Sequence, residues 1–404
     1  VFGKLTLVAG GHFRRFCKPS HLEAILKNSR RLGTSESDNK LGLESAMQWL
    51  CRAQDITGCG GVSGGYNFDS GWLAPYPETT GYIIPTFLRF ASEMRNQEYL
   101  DRAVAMGEWE SDVQLESGAV RGRVGLNDYP IVFNTGQVMI GWNALYRMTG
   151  KGRFLDCSRR AAKWLVSIQE EDGRWVRHTY SNRSHAYHTR VAWPLLQTAE
   201  LCDDAGFRGS AVRNLQSTLS LTADNGWIHN MAFDEGEIPL THTVAYTLRG
   251  LLESAQYLDD SLRSAALSAV SNAALKLLHR YERNKTDPYS MPRYMSARFN
   301  EKWKPGVQYS CLTGNCQIAI VWMRLYQQTG DFRYLNSALK MNDQVEATQN
   351  RESSNPDIAG AIAGSYPIWG DYVPFTFPNW AAKFFADSIM LQEEIMQAVG
   401  EPPE

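Results

Sequence analysis

A tryptophan, a glutamine and a glycine recur at one fixed spacing three times in the first half of the chain: Trp49, Gln54 and Gly58, then Trp109, Gln114 and Gly118, then Trp164, Gln169 and Gly173. Self-similarity of this kind points to a repeat architecture, in which each unit buries its apolar face against its neighbours. A second series interleaves with the first. Thr80, Thr135, Thr189, Thr243 and Thr313 each open a long apolar run, at steps of 55, 54, 54 and 70 residues. That period is too long for one helix and suits a helix pair.

Helical apolar periodicity gives twelve main segments of two alternating types. Segments near 44–55, 98–115, 153–170, 207–221, 261–282 and 331–349 carry mixed charge on one side and are predicted as outer helices. Segments near 79–94, 134–149, 187–203, 241–258, 311–329 and 378–396 are apolar all round, with Gly or Ala where close packing needs small residues, and are predicted as inner helices. Six of each predict an all-α (α/α)6 toroid of six helical hairpins, with short β-like segments in the long loops of one face. An open solenoid is the alternative. Residues 1–40 are expected as an N-terminal extension, with a short helix at His21–Arg31, and 41–404 as a single toroid domain.

Composition removes several function classes. With 404 residues, 43% hydrophobic and 21% charged, the chain has ample material for one large core. A net charge of −2 gives no basic surface for nucleic acid, which is not an expected partner. No apolar run reaches membrane-spanning length. Seven irregularly spaced cysteines do not form a disulfide framework, which favours a cytoplasmic protein, or a periplasmic one if a leader has been removed. No phosphate loop or dinucleotide fingerprint occurs, and Cys311 and Cys316 lack zinc-ribbon spacing, so no cofactor and no metal are expected; the oligomeric state is open.

The loops leading from outer to inner helix are long and rich in Gly, Tyr and Trp, and such loops on one face carry function. Six parallel inner helices present their unpaired N–H groups at one mouth, which should prefer anions. Polar residues fall near that mouth where a core would be apolar: Glu78, Asn134, Gln137, Tyr187, His188, Arg190 and His242. The inner-helix threonines are expected as N-caps, and the Trp/Gln/Gly series as structural. The loops add Arg123, Arg177, Arg183, Arg293, Trp72, Tyr76, Trp175, Tyr180, Trp227 and Trp369. Aromatic faces stack on pyranose rings and guanidinium forks hold carboxylates, so the expected partner is an acidic, uronic-acid-containing polysaccharide or oligosaccharide.

The segments Tyr76-Pro77-Glu78-Thr79-Thr80-Gly81-Tyr82 and Phe133-Asn134-Thr135-Gly136-Gln137 resemble α/α-toroid proteins of the VpsJ type, which implies a role in bacterial exopolysaccharide biosynthesis. Tyr187-His188-Thr189 at an inner-helix start is similar to the catalytic region of glucuronyl C5-epimerases, although Val191 stands where that family has a second histidine. Uronate chemistry needs a base for the C5 proton and groups that hold the carboxylate as its charge spreads. Tyr187 or His188 is the expected base, with Asn134, Arg190 and His242 at the carboxylate. Elimination makes a lyase and reprotonation an epimerase. Hydrolysis instead needs two carboxyl groups, for which Glu78, Asp69, Asp128, Asp234 and Glu235 lie on suitable loops. Two other classes stay open: a terpene cyclase or prenyltransferase toroid, since Gln169 to Trp175 resembles the glutamine–tryptophan repeat of triterpene cyclases, and a noncatalytic glycan-binding subunit.

Overall fold

The structure, a computed structural model, describes residues 18–27, 38–283 and 294–399. Arg293 and the end of the predicted His21–Arg31 helix lie outside the described residues. Thirteen α-helices occur among them. α1 (Pro19–Lys27) belongs to the N-terminal extension. The outer helices are α2 (Asn39–Asp55), α4 (Gln97–Val113), α6 (Gly152–Ser167), α8 (Ala205–Leu219), α10 (Asp260–Arg283) and α12 (Phe332–Glu346). The inner helices are α3 (Pro77–Met94), α5 (Val132–Thr149), α7 (Thr189–Cys202), α9 (Thr241–Ser254), α11 (Leu312–Thr329) and α13 (Asn379–Val399). Each inner helix packs on the next, and α13 packs on both α2 and α3. The ring is therefore closed, an (α/α)6 toroid and not an open solenoid. No helix among the described residues is long and apolar enough to cross a membrane.

Glycines let the inner helices approach. A Cβ on Gly81 would fall 2.4 Å from Val138 Cα, and one on Gly250 2.3 Å from Thr189 Oγ1. Larger side chains at these seams would force the ring apart.

The repeat glutamines act as clamps between outer helices. Gln54 Nε2 donates to the carbonyls of Gly60 (3.0 Å) and Arg102 (3.1 Å), Gln114 Nε2 to Gly118 (2.8 Å) and Cys157 (3.0 Å), and Gln169 Nε2 to Gly173 (2.9 Å) and Ser210 (2.9 Å). Gln349 repeats the device at the closure, donating to Gly360 (2.8 Å) and to Gly42 of α2 (3.0 Å). In the first repeat the clamped glycine is thus Gly60, two residues beyond the Gly58 of the sequence pattern. The inner-helix threonines are not N-caps: Tyr76, Ile131 and Leu240 occupy that position for α3, α5 and α9, without a side-chain cap. Thr80 and Thr135 sit one turn in, bonding back to Tyr76 O (2.9 Å) and Ile131 O (2.8 Å) while accepting from the loop amides of Val62 and Val120.

Short strands stiffen the loop face. β1 (Gly65–Asn67) pairs antiparallel with β2 (Gly71–Trp72) and with β5 (Thr376–Pro378), placing Tyr66 opposite Trp72 and Phe377, and β3 (Ser310–Cys311) pairs with β4 (Ser365–Tyr366). The β1–β5 pairing joins the first long loop to the last. α1 docks on this sheet, with His21 stacked on Phe68 at 4.1 Å and its Nε2 3.1 Å from the Tyr66 hydroxyl.

Candidate active site

Where the inner helices begin, a pocket of about 610 Å3 opens on the loop face. Its polar lining is sparse. Glu78, Asn134, His242 and Trp380 come from the first turns of α3, α5, α9 and α13, Tyr187 from the turn before α7, and Arg123 from a loop. The rest is mostly aromatic, with Tyr76, Tyr82, Phe133, Tyr180, Phe233, Tyr246 and Tyr372 joined by two valines. Asn134 is fixed by donating to Arg121 O at 3.0 Å, and Arg123 sits at φ 62°, in the left-handed region.

Glu78 is the only carboxyl-bearing residue of the lining. It keeps an opening to the pocket but is otherwise surrounded by protein. Burial pushes its carboxyl up to about 7, against the hydrogen bond donated by the Tyr76 hydroxyl and the positive charge of Arg190, which both favour the carboxylate. An acid poised there gives and takes protons near neutral pH. His242 is pushed down to about 3 by burial, helped by Arg190, and is neutral. Its Nδ1 lies 2.7 Å from Gln317 Nε2; with that amide as donor, the ring proton sits on Nε2. Burial holds the Tyr187 hydroxyl well above its ordinary range, so it remains a proton donor.

Arg190 lies one ring behind the lining. Its Nε donates to Gln137 Oε1 at 3.0 Å, and its guanidinium stands 5.0 Å from the Tyr246 ring centroid and 5.8 Å from that of Phe384. Among the described residues no carboxylate lies within ion-pair distance of it. A buried, unpaired cation and several helix N-termini make the pocket electropositive from behind.

Several sequence expectations change. His188 is not at the pocket: both its ring nitrogens are buried without partners behind Tyr187 (5.3 Å) and Trp175 (6.1 Å), and burial holds its pKa well below the ordinary value. Arg190 and Gln137 are buried against each other and do not reach the lining. Asp128 is exposed and paired with Arg121 on the surface, so it does not form a carboxyl pair with Glu78. Arg177 is exposed, 3.6 Å from Glu170. Trp72 stacks on Trp49 at 5.3 Å and donates to Asp357 Oδ1 at 3.0 Å. Trp175 is buried and donates to Leu165 O at 2.9 Å, Trp369 is exposed away from the lining, and Trp227, packed edge-on against Trp303 at 5.0 Å, lines a second pocket of the loop face. The arginine-lined mouth reduces to Arg123 in front and Arg190 behind. Sequence reasoning missed Tyr82 and Tyr246. Each lies four residues after Glu78 or His242, one helical turn deeper on the same face, and that spacing was a usable signal.

The chain matches no protein-family profile and no curated protein sequence. Its fold is nevertheless shared with solved structures. An unsaturated glucuronyl hydrolase specific for heparin superposes with a TM-score of 0.69 at 14% identity, covering 89% of this chain and 98% of that one. Cellobiose 2-epimerase from Bacillus thermoamylovorans gives 0.67 at 12% identity, covering 87% and 98%. A polysaccharide lyase gives 0.63 at 12% identity, covering 91% and 100%. At such identities the likeness is one of fold: the chain is an α/α toroid of the architecture these proteins share.

Proposed function

We propose that this toroid is a carbohydrate-active enzyme that takes a uronic-acid unit of an acidic glycan into the mouth pocket and moves the proton at C5. Glu78 is its acid–base group. The observation that carries this reading is Glu78 itself: a single pocket carboxyl, raised to about 7, beside an electropositive floor. As carboxylate, Glu78 removes the C5 proton, and the electron pair spreads into the substrate carboxylate. Arg123, Asn134 and His242 Nε2–H, all in the lining, hold that group in this reading, and the field of Arg190 favours the growing negative charge. Reprotonation from the opposite face, with Tyr187 as donor, gives the C5 epimer. Breaking of the C4–O bond, with the departing oxygen taking up the proton that Glu78 removed, gives an unsaturated uronide. The aromatic lining supplies stacking faces for the sugar ring.

The known activities of the fold neighbours, on glucuronyl, cellobiose and polysaccharide substrates, support a saccharide ligand. Hydrolysis by paired carboxylates ranks second, because the lining offers one carboxyl where that mechanism needs two. The exopolysaccharide setting rests on the Tyr76–Tyr82 and Phe133–Gln137 segments alone. The six cysteines among the described residues are free thiols, in keeping with a cytoplasmic placement.

The test is incubation with a panel of uronic-acid polysaccharides in deuterated water. Ultraviolet absorbance from a new conjugated double bond identifies the lyase, and deuterium at C5 without cleavage identifies the epimerase. Shortened chains with neither signal move the assignment to hydrolysis. No change on any glycan overturns the proposal and leaves the noncatalytic glycan-binding subunit and the isoprenoid-type toroid on equal standing.

A further inference from the structure

We propose that a second pocket on the loop face holds the continuation of the glycan chain whose uronate occupies the first, so that the enzyme acts on chains and not on isolated sugars. This rests on the reading of the first pocket given above. The second pocket, about 540 Å3, is bounded by the loops carrying Arg183–His185, Trp227–Pro239 and Asn300–Lys302. A pair of stacked rings stands between it and the first. Tyr187 faces the first pocket and His185 the second, 4.6 Å apart and 14° from parallel.

The ridge above that partition is fixed in place. His185 Nε2 lies 2.8 Å from Tyr180 O and its Nδ1 3.0 Å from Ala232 O; burial keeps the ring neutral, so its single N–H bonds one of these two loops while the ring packs against the other. Ser181 Oγ adds a bond to Asp234 Oδ1 at 2.5 Å. His178, Ser181 and Asn182 all hold left-handed backbone, at φ 60°, 54° and 47°. Non-glycine residues keep such conformations where the surrounding structure imposes them.

The chemistry of the second pocket differs from that of the first. Among the described residues, the side chains of Arg183, His229, Asn230 and Lys302 have no hydrogen-bond or ion-pair partner, and Glu301 faces the same space. Glu237 is already paired with Arg298 at 2.6 Å. Unclaimed donors interleaved with acceptors, without a dominant sign, match the hydroxyl and amide groups of neutral sugar units better than a run of carboxylates. A chain leaving the first pocket over the Tyr180 ridge meets these groups next.

The experiment is calorimetric titration of the full chain carrying Glu78→Gln, which blocks turnover, with hyaluronan oligosaccharides from disaccharide to octasaccharide. Binding is expected to tighten by about tenfold once the chain is long enough to cross the ridge, the size given by one or two hydrogen bonds. Adding Arg183→Ala and Asn230→Ala should abolish that gain. Lys302→Ala, on a different loop, should reduce it independently, with circular dichroism confirming each fold. Equal affinity at every length, or a gain that survives in the folded variants, overturns the second pocket alone. Absence of binding at every length, repeated with oligosaccharides of each glycan in the uronic-acid panel, overturns the reading of the first pocket and this one with it.

Discussion

The two mouths of the toroid are built from the same six inner helices and treat charge in opposite ways. At the far mouth, where those helices end, the charges are paired with one another. Arg89 bonds Glu93 (2.6 Å) and Glu394 (3.0 Å), Arg147 bonds Glu200 (2.9 Å), Arg249 bonds Glu253 (2.5 Å), and Arg324 approaches Glu394 at 3.9 Å. Every inner helix contributes, and the arginines also complement the negative ends of the helix dipoles. At the loop mouth ion pairs such as Arg121–Asp128 and Arg298–Glu237 lie outside the first pocket, and within and behind that pocket the ionisable groups are kept apart. Glu78 is bonded by a tyrosine only, and Arg190 rests on aromatic rings. A group already matched to a neighbour has little left for a substrate. Chemistry is therefore expected where the pairing is incomplete.

The sharpest break of this comparison is Glu78→Gln. Turnover is expected to fall by about 10²- to 10⁴-fold, the range for losing a general acid–base group, while the melting temperature stays near that of the parent. A variant as active as the parent would remove Glu78 from the mechanism. The pH profile gives a second test. If Glu78 acts as base, turnover rises as pH climbs through about 7, because the acid form that burial favours is inactive. A flat profile across that range would sink the assignment.

Glu110 offers a control. On α4 it is fully buried, neither carboxyl oxygen has a partner among the described residues, and burial holds its pKa well above the ordinary value. A raised folded-state value means that its contribution to stability is intact below the ordinary carboxyl range and is lost as pH rises through the folded value. Glu110→Gln cannot ionise. It should match the parent at acid pH and exceed it by about 1–2 kcal/mol near pH 8, measured by chemical denaturation. Gly250→Ala should destabilise by about 1–2 kcal/mol, since the added methyl meets Thr189. The smallest effect is expected at the far mouth: Arg89→Met should cost less than about 1 kcal/mol and leave turnover unchanged, because partly exposed pairs contribute little.

The fold was legible because its signals are periodic. All twelve predicted repeat helices overlap observed ones, since a closed ring forces each pair to repeat the same burial. The site was less legible because burial, and not residue type, assigns roles there. His188 and Tyr187 are neighbours in sequence, yet one packs behind the other. Arg190 looked like a ligand for carboxylate and instead lies beneath an aromatic floor. Glu78 was visible as a carboxyl on the right loop, but its raised pKa depends on rings contributed by other repeats, which no local pattern encodes.

Gln349 joins the last outer helix to the first with the bond that Gln54, Gln114 and Gln169 use between successive repeats. An open stack of repeats has end units with one neighbour each, and these fray first. Here each of the six hairpins has two. With no weak edge from which to peel, the toroid should lose its structure in one cooperative step, and the mouth pocket, assembled from five of the six inner-helix starts, would vanish or persist as a whole.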